Sequence, residues 1–454
     1  MNGKMWRLLA IGVMVGLACS WAMAAGEATG KADADGFVSI FNGKDLTGWD
    51  GDPTLWSAVD GVLRGQTTKE RPAQGNTFCI WRGGKCGNFV LTIKFRYTSG
   101  NSGVQYRSSE VPAKPGAKNR WVMSGYQAEV RELAGKVNGL YKIGGTYMEK
   151  APGGYLTAFS EFVVVEGDNG KVTRNVIGQV CDSDLLDKGG LYHEKDWNEY
   201  VLVCMGDYVE EYVNGQLASA YIDRRKQGRV LSGLIGLQIH AGGPMIVEFK
   251  DIKLKPLHEN YGDAVPLFNG KDLAGWKVSG DALKDTFSVA GGGAIACKGN
   301  PRGYIRTEAQ YTNYVLRLQM RHHVKCNAGV LVRVHGDDKV WPDSIECQGQ
   351  KDDMGDIWNI GEFPMKVDPA RTEDWRTVKL HPTNEKPVGQ WNNYEIYLNK
   401  GDLVIKVNGL VQNTATECKE IPGYVALQSE GGALDYRNIV LIPILDKKPA
   451  EAGK

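Results

Sequence analysis

FNGKDLTGW, residues 41–49, is written a second time as FNGKDLAGW over residues 268–276. One position differs, at an offset of 268 − 41 = 227. That offset is far longer than the unit of a solenoid or propeller, so the repeat marks duplicated domains. Downstream, Asn101-Ser102-Gly103-Val104 returns as Asn327-Ala328-Gly329-Val330, each followed by an arginine, Arg107 and Arg333. Trp197-Asn198-Glu199-Tyr200 returns as Trp391-Asn392-Asn393-Tyr394, and Val213-Asn214-Gly215 as Val407-Asn408-Gly409. Gly236-Leu237-Gln238 is matched by Ala426-Leu427-Gln428, and Phe249-Lys250-Asp251-Ile252 by Tyr436-Arg437-Asn438-Ile439. The order is kept while the offset shrinks to 439 − 252 = 187, because the first copy carries longer loops, mostly between Glu110 and Asp196.

The local pattern is β. Phe89, Leu91, Ile93, Phe95 and Tyr97 alternate with Thr92, Lys94 and Arg96, the period of two of a half-buried strand. Tyr314 to His322 alternates likewise, with Arg317, Gln319 and Arg321 opposite Leu316, Leu318 and Met320. Asn214-Gly215 and Asn408-Gly409 sit between strand-like runs and predict tight hairpins, since both residue types tolerate positive φ. No long stretch has helical periodicity. Short strands separated by Gly-rich turns predict an all-β chain of two tandem jelly-roll sandwiches, at 36–257 and 263–446, with a flexible tail at 447–454. FNGKDLxGW then reads as the first strand and turn of each sandwich, an architectural signature.

Composition narrows the function classes. Of 454 residues, 42% are hydrophobic and 24% charged, ordinary for a chain that buries a core. The formal net charge of +1 offers no electrostatic footprint for nucleic acid or an acidic membrane surface. Lys4 and Arg7, an apolar run from Leu8 to Trp21 and Ala22-Met23-Ala24 together form a signal-peptide pattern over residues 1–24. Cleavage after Ala24 predicts a periplasmic or secreted protein. The apolar run is shorter than the ~20 residues a span needs, so no transmembrane segment is expected in the mature chain. Eight cysteines remain after that cut, four per half: Cys79, Cys86, Cys181, Cys204, then Cys297, Cys326, Cys347, Cys418. In an exported protein the even counts favour intradomain disulfides; buried free thiols are the other reading, because domains this long do not require staples.

FNGKDLxGW, Asn-Ser-Gly-Val with its arginine, Trp-Asn-x-Tyr, Val-Asn-Gly, Gly-Leu-Gln-x-His and the closing Arg-Asn-Ile together resemble the 3-keto-disaccharide hydrolase domain family, over nearly all of the mature chain, twice. The resemblance implies a concanavalin A-like jelly roll whose concave sheet holds carbohydrate, and cleavage of 3-keto-glycosides. A carbonyl at C3 acidifies the C2 hydrogen. A base removes it, the C1 glycosidic bond leaves by elimination, and water adds back. The chemistry needs a general base, donors for an oxyanion and an acid for the leaving oxygen.

The resemblance places the site strand of the first copy on Gly125-Tyr126-Gln127-Ala128-Glu129-Val130. Gln127 and Glu129 project from one face, with Glu129 as the expected base. Arg107 would offer a bidentate donor to a sugar or enolate oxygen, or else pair structurally across the sandwich. Gln238 and Tyr141 would bind substrate, and His240 can exchange a proton near neutral pH. Related sequences often carry Leu-Tyr-Asp-Glu where this chain has Leu140-Tyr141-Lys142-Ile143, without the acids. The matching strand of the second copy, Ser344-Ile345-Glu346-Cys347-Gln348, holds the Glu and Gln in reversed order. Arg333 and Gln428 match Arg107 and Gln238, while Glu430 replaces His240, so Glu346 and Glu430 form a candidate carboxylate pair. No cofactor is evident. A calcium ion is possible in a lectin-like sandwich, although no acidic run spells a site for one. A non-catalytic glycan-binding protein, and an ordinary glycosidase with two carboxylates, are the competing readings.

Overall fold

The computed structural model describes residues 31–131, 145–149, 154–167, 170–181 and 190–446. The leader, Tyr141 and the tail at 447–454 lie outside the described residues. Nearly all regular structure is β, and the described chain divides into two compact units between His258 and Glu259. No helix among the described residues is long and apolar enough to cross a membrane.

In the first domain, Phe89–Tyr97 runs through the middle of a ten-stranded sheet, between Asn198–Met205 and Met245–Pro256. Its burial alternates along the whole strand, as its period of two predicts. Phe89, Leu91, Ile93 and Phe95 meet Val104, Tyr106, Ile235 and Leu237 of a second, seven-stranded sheet in one continuous core. Two sheets closed over a shared apolar layer make a sandwich. The seven-stranded sheet is ordered Gly154–Ala158, Gly145–Glu149, Met123–Val130, Ser102–Glu110, Leu234–Ile239, Thr77–Trp81 and Trp49–Asp50, the non-sequential neighbours expected of a jelly roll.

The second domain repeats this plan. Tyr314–His322 lies in a nine-stranded sheet, and Leu316, Leu318 and Met320 share their core with Val330, Val332, Ile345 and Leu427 of an eight-stranded sheet. That sheet is ordered Trp276–Val278, Gly303–Thr307, Tyr424–Ser429, Gly329–His335, Asp343–Gln348, Ile357–Ile360, Arg376–Thr377 and Thr372–Glu373. The fold is the expected pair of all-β, concanavalin A-like sandwiches.

The repeated stretch explains itself in hydrogen bonds. The Asn42 side-chain oxygen accepts from the backbone N–H groups of Lys44 and Asp45 at 2.8 and 3.0 Å, and Asn269 does the same for Lys271 and Asp272 at the same distances. Asn42 and Asn269 each donate to the following aspartate at 2.7 Å. The indole N–H of Trp49 donates to the Ile40 carbonyl at 2.7 Å, and that of Trp276 to the Leu267 carbonyl at 2.6 Å. Each tryptophan thereby plugs the core while its one polar atom is satisfied. FNGKDLxGW is a turn and a bolt. The Asn-Gly hairpins also form: both residues of each pair have positive φ, the geometry that matches the twist of the flanking strands.

The disulfide expectation is corrected. All eight described cysteines are free and buried. Burial pushes the Cys86, Cys204 and Cys418 thiols up to about 12, so they pack as small apolar groups.

Candidate functional site

The cross-strand register arranges the polar residues of the seven-stranded sheet on its outer face. Gly103 pairs with Glu129 and Gln105 with Gln127, while Gly236 lies opposite both Gln105 and Ile80, and Gln238 opposite Phe78. Two adjacent rows result. One runs Phe78, Gln238, Gly103, Glu129; the other runs Ile80, Gly236, Gln105, Gln127. Glycine at 103 is required here, since a Cβ there would fall 2.4 Å from the Gln127 side chain.

That gap lets the Gln127 amide lie across the sheet and close a chain of hydrogen bonds. Gln105 Nε2 donates to Gln127 Oε1 at 3.1 Å; Gln127 Nε2 donates to Glu129 Oε1 at 2.7 Å and to Gln238 Oε1 at 3.3 Å. Ser108 Oγ donates to Gln105 Oε1, and Tyr200 from the opposite sheet donates to the Glu129 carbonyl. The structure thus brings Gln127, Glu129 and Gln238 together, adding Gln105, which the sequence reading passed over. Glu129 is only 2% exposed. Of the four side chains, only Gln238 keeps a buried polar atom, Nε2, without a partner among the described residues.

His240 stands two residues beyond Gln238, half-buried, with its ring Nδ1 against the Ala241 carbonyl at 2.6 Å. No hydrogen bond joins it to Gln127, Glu129 or Gln238.

The second domain builds the same two rows with different occupants. Tyr304 pairs with Gln428, and Gly329 with Gln348; Leu331 lies opposite both Ala426 and Glu346, and Glu346 opposite Trp358. Glu346 therefore holds the place of Gln127, and Gln348 that of Glu129. A Cβ at Gly329 would lie 2.6 Å from Glu346 Oε1 and 3.1 Å from Gln428 Oε1, so the carboxyl group reclines over this glycine as Gln127 does over Gly103. The consequence differs. Oε1 of Glu346 and both amide atoms of Gln428 are buried without a hydrogen-bond partner among the described residues. Gln348 has turned away, its Oε1 accepting from the backbone N–H groups of Gly349 and Gln350 at 2.9 Å each.

Electrostatics separate the carboxyl groups. Burial, reinforced by the charge of Glu430 and only partly opposed by the neighbouring Gln428 amide, which lies close without a well-formed hydrogen bond, pushes Glu346 up to about 8, so at neutral pH it carries its proton. Glu430 is also raised by burial, opposed by Arg302 at 3.5 Å and by Asn327, whose Nδ2 donates to it at 2.6 Å. One carboxyl is held neutral and its neighbour has a cation and an amide donor that favour its charged form, a pairing suited to acid and base catalysis.

Arg107 and Arg333 do not join these rows; of the two roles expected for them, substrate donor and structural pairing across the sandwich, the structure places both side chains where the second applies. Each sits at a β-bulge with positive φ, 45° and 58°. The bulge breaks the period of two and sends the side chain inward. Arg107 donates to the carbonyls of Gly87 at 2.9 Å and Gly206 at 2.7 Å, and to Asn88 Oδ1 at 3.3 Å. Arg333 donates from Nη1 to the Ile421 carbonyl at 2.5 Å and the Tyr311 carbonyl at 3.5 Å, and its Nε and Nη2 have no partner among the described residues. Facing each bulge is a glycine, Gly233 or Gly423, whose added Cβ would come within 2.5 Å of the arginine backbone. No group of three or more His, Cys, Asp or Glu side chains among the described residues is placed to hold a metal ion.

A sequence profile described as the 3-keto-alpha-glucoside-1,2-lyase-like domain matches residues 36–255 and again 263–442. The chain belongs to this family. Both halves of it are 3-keto-alpha-glucoside-1,2-lyase-like domains, in tandem. A 3-keto-disaccharide hydrolase of Bacteroides thetaiotaomicron is 34% identical over 89 residues, 18% of this chain; the match spans 31% of the relative's length. Among solved structures, a Parabacteroides distasonis protein provisionally named a glycosyl hydrolase is 22% identical, with 40% of this chain and 94% of that one covered at a TM-score of 0.32. A Bacillus licheniformis β-glucanase is 12% identical, with 42% and 100% covered at a TM-score of 0.30. The chain thus matches about a third of the length of the Bacteroides relative, and the outer faces described above are one place where its two lyase-like domains differ.

Proposed function

We propose that this is an exported protein that cleaves 3-keto-glycosides or 3-keto-disaccharides, and that the second domain carries the chemistry. The observation that supports this most is Glu346: a carboxyl group 5% exposed, protonated at neutral pH, with an oxygen that lacks a hydrogen-bond partner and a second carboxylate close enough to raise it. In the proposed sequence Glu430, as carboxylate, removes the C2 proton, and the electron pair of that C–H bond moves into C2–C3 while the C3 carbonyl becomes an enolate. The carbonyl then reforms, the pair shifts to C1–C2, and the C1–O bond breaks. Glu346 protonates the departing oxygen. Water adds across C1=C2, hydroxyl to C1 and hydrogen to C2, and the two glutamates return to their starting protonation states. The Gln428 amide, beside Glu346 and without a well-formed hydrogen bond among the described residues, offers a donor for the enolate oxygen.

In the first domain Glu129 remains a candidate base and His240 a candidate proton carrier, but Glu129 is tied to Gln127. A row of amides that satisfy one another suits glycan binding, and we infer that role for the first domain.

The test is product release by the purified mature protein from methyl 3-keto-α-glucoside and, in parallel, from methyl α-glucoside. Cleavage of the keto sugar alone, lost in Glu346→Gln and kept in Glu129→Gln, is the expected result. Cleavage of both sugars would replace the elimination by direct two-carboxylate hydrolysis. Cleavage of neither would leave a tandem glycan-binding sandwich.

A further inference from the structure

Beside the unpartnered atoms of Glu346 and Gln428 lies a fourth, the indole Nε1 of Trp358, also buried and without a hydrogen bond among the described residues. All four belong to the outer face of the eight-stranded sheet, in two adjacent rows. Leaving a buried donor or acceptor unmet costs about 1–3 kcal/mol. Native structures avoid this except where something else supplies the partner. Three such atoms on Glu346 and Gln428, against one on their first-domain counterparts Gln127 and Gln238, with that of Trp358 beside them, mark a surface shaped for a polar ligand.

Trp358 gives that patch its other half. Ile357, its neighbour, points into the core, so the alternation of the strand sends the indole to the outer face, directly opposite Glu346. Cross-strand partners at such a position are about 5 Å apart between Cβ atoms. The ring is half-buried and half-exposed. Arg376, the next residue across the sheet, holds its guanidinium 5.9 Å from the ring centroid, and is itself anchored by Asp356 at 2.6 Å and Asp353 at 3.1 Å. An aromatic plane restrained by an anchored cation is oriented before any ligand arrives. A flat apolar ring with a free N–H at its edge, next to a neutral carboxyl and a free amide, fits a molecule with one C–H face and a rim of hydroxyls. A pyranose ring has that form.

We propose that Trp358 is a substrate-binding residue of the second domain, stacking on a pyranose ring and donating its N–H to a sugar oxygen, so that C1 and C2 are presented to Glu346 and Glu430. The proposal rests on the carbohydrate-cleaving reading of this face. It assigns to one side chain the selection of pyranosides over open-chain or non-sugar polyols.

The experiment compares the mature parent protein with Trp358→Phe, Trp358→Leu and Glu346→Gln. Turnover of methyl 3-keto-α-glucoside is followed, and binding of methyl α-glucoside and of sorbitol is measured by calorimetry. Trp358→Phe keeps a stacking plane and loses the N–H; Trp358→Leu keeps apolar bulk and loses both, and an unchanged melting temperature for either shows an intact fold. The expected result is a KM raised about tenfold in Trp358→Leu and less in Trp358→Phe, as the loss of an aromatic contact predicts. The turnover number should move far less, and glucoside should bind the parent in preference to sorbitol. Glu346→Gln shows the reverse split, with turnover lost and binding kept. An active parent whose KM is untouched in Trp358→Leu overturns the assignment and leaves the proposed reaction standing. A parent that binds glucoside without cleaving anything decides the assignment through its dissociation constant, and sinks the reaction alone. A parent that neither binds nor cleaves removes both.

Discussion

Where the first domain buries Glu211 between its sheets, the second buries Ile405; Tyr106 corresponds to Val332, and Tyr126 to Ile345. The first interior is therefore a network. Tyr106 Oη donates to Glu211 at 3.0 Å and lies 3.1 Å from the Tyr221 hydroxyl, and Thr146 donates to the same carboxylate. Tyr126 donates to Asp223 at 2.6 Å, and Asp223 accepts a fork from Arg225. At the positions of Glu211, Tyr106 and Tyr126 the second interior is apolar, while the unpartnered atoms of Glu346, Gln428 and Trp358 stand on its outer face. One fold has been used twice, with a hydrogen-bonded polar network between the sheets of one copy and apolar side chains at the same three positions of the other. Satisfied networks specify and rigidify a core, whereas an unmet group beside a ligand surface is a source of binding and chemistry.

This contrast can be broken in several places. The largest effect should come from Glu346→Gln, which removes a proton donor and is expected to cut turnover of the keto sugar by roughly 10²–10⁴-fold. Glu129→Gln should cost less than about tenfold in the same assay; equal losses would erase the functional difference between the copies. Next come the buried arginines. Arg107→Met leaves the Gly87 and Gly206 carbonyls without their donor and is expected to cost about 3 kcal/mol in denaturant unfolding. Arg333→Met should cost roughly a third as much, because two of its nitrogens are already unpartnered, and burial already lowers its hold on the proton.

The third contrast is in pH. Burial pushes Glu211 up to about 7, its hydrogen bonds notwithstanding, and the unfolded chain releases that proton near 4.5. Between those values the native state binds the extra proton. The stabilisation is thus complete below the window and lost as pH rises through it, by up to about 1.4 kcal/mol per pH unit. Melting temperatures of the first domain, read from pH 5 to 7, should fall, and Glu211→Gln should lessen that fall, the remainder coming from Glu161, which burial pushes up to about 8, while leaving the second domain's own pH response unaltered. The smallest effect should also be the most symmetrical: Trp49→Phe and Trp276→Phe each lose one N–H to carbonyl bond and should cost about 1 kcal/mol apiece. Unequal values would show that the two bolts are not equivalent.

The sequence makes some of this visible and hides the rest for physical reasons. Phe89–Tyr97 has a period of two that could only be a strand with one face buried, and the structure buries that face. Duplication is plain because turn residues such as Asn42 and Asn269 answer to local backbone geometry, which both copies share. The inward turn of Arg107 and Arg333 is not legible: a single bulge residue inverts the face that alternation assigns, and nothing in the adjoining residues announces it. The reversed order of Gln127-x-Glu129 and Glu346-x-Gln348 can be read directly, but not its effect, since which carboxyl finds a partner depends on strands far apart in the chain. Trp358 escapes notice for a similar reason: Ile357-Trp358-Asn359-Ile360 shows no alternation, and only pairing with Glu346 gives the indole its place. Cysteine arithmetic fails because evenness within each half says nothing of distance in the core.

Those eight sealed thiols make the molecule its own chronometer. A maleimide or iodoacetamide cannot reach any of them until the surrounding sheet parts, so the rate of labelling reports opening rather than surface reactivity. With four reporters in each half, digestion and mass spectrometry after timed exposure would tell which sandwich breathes first, and whether a sugar slows only one of the two.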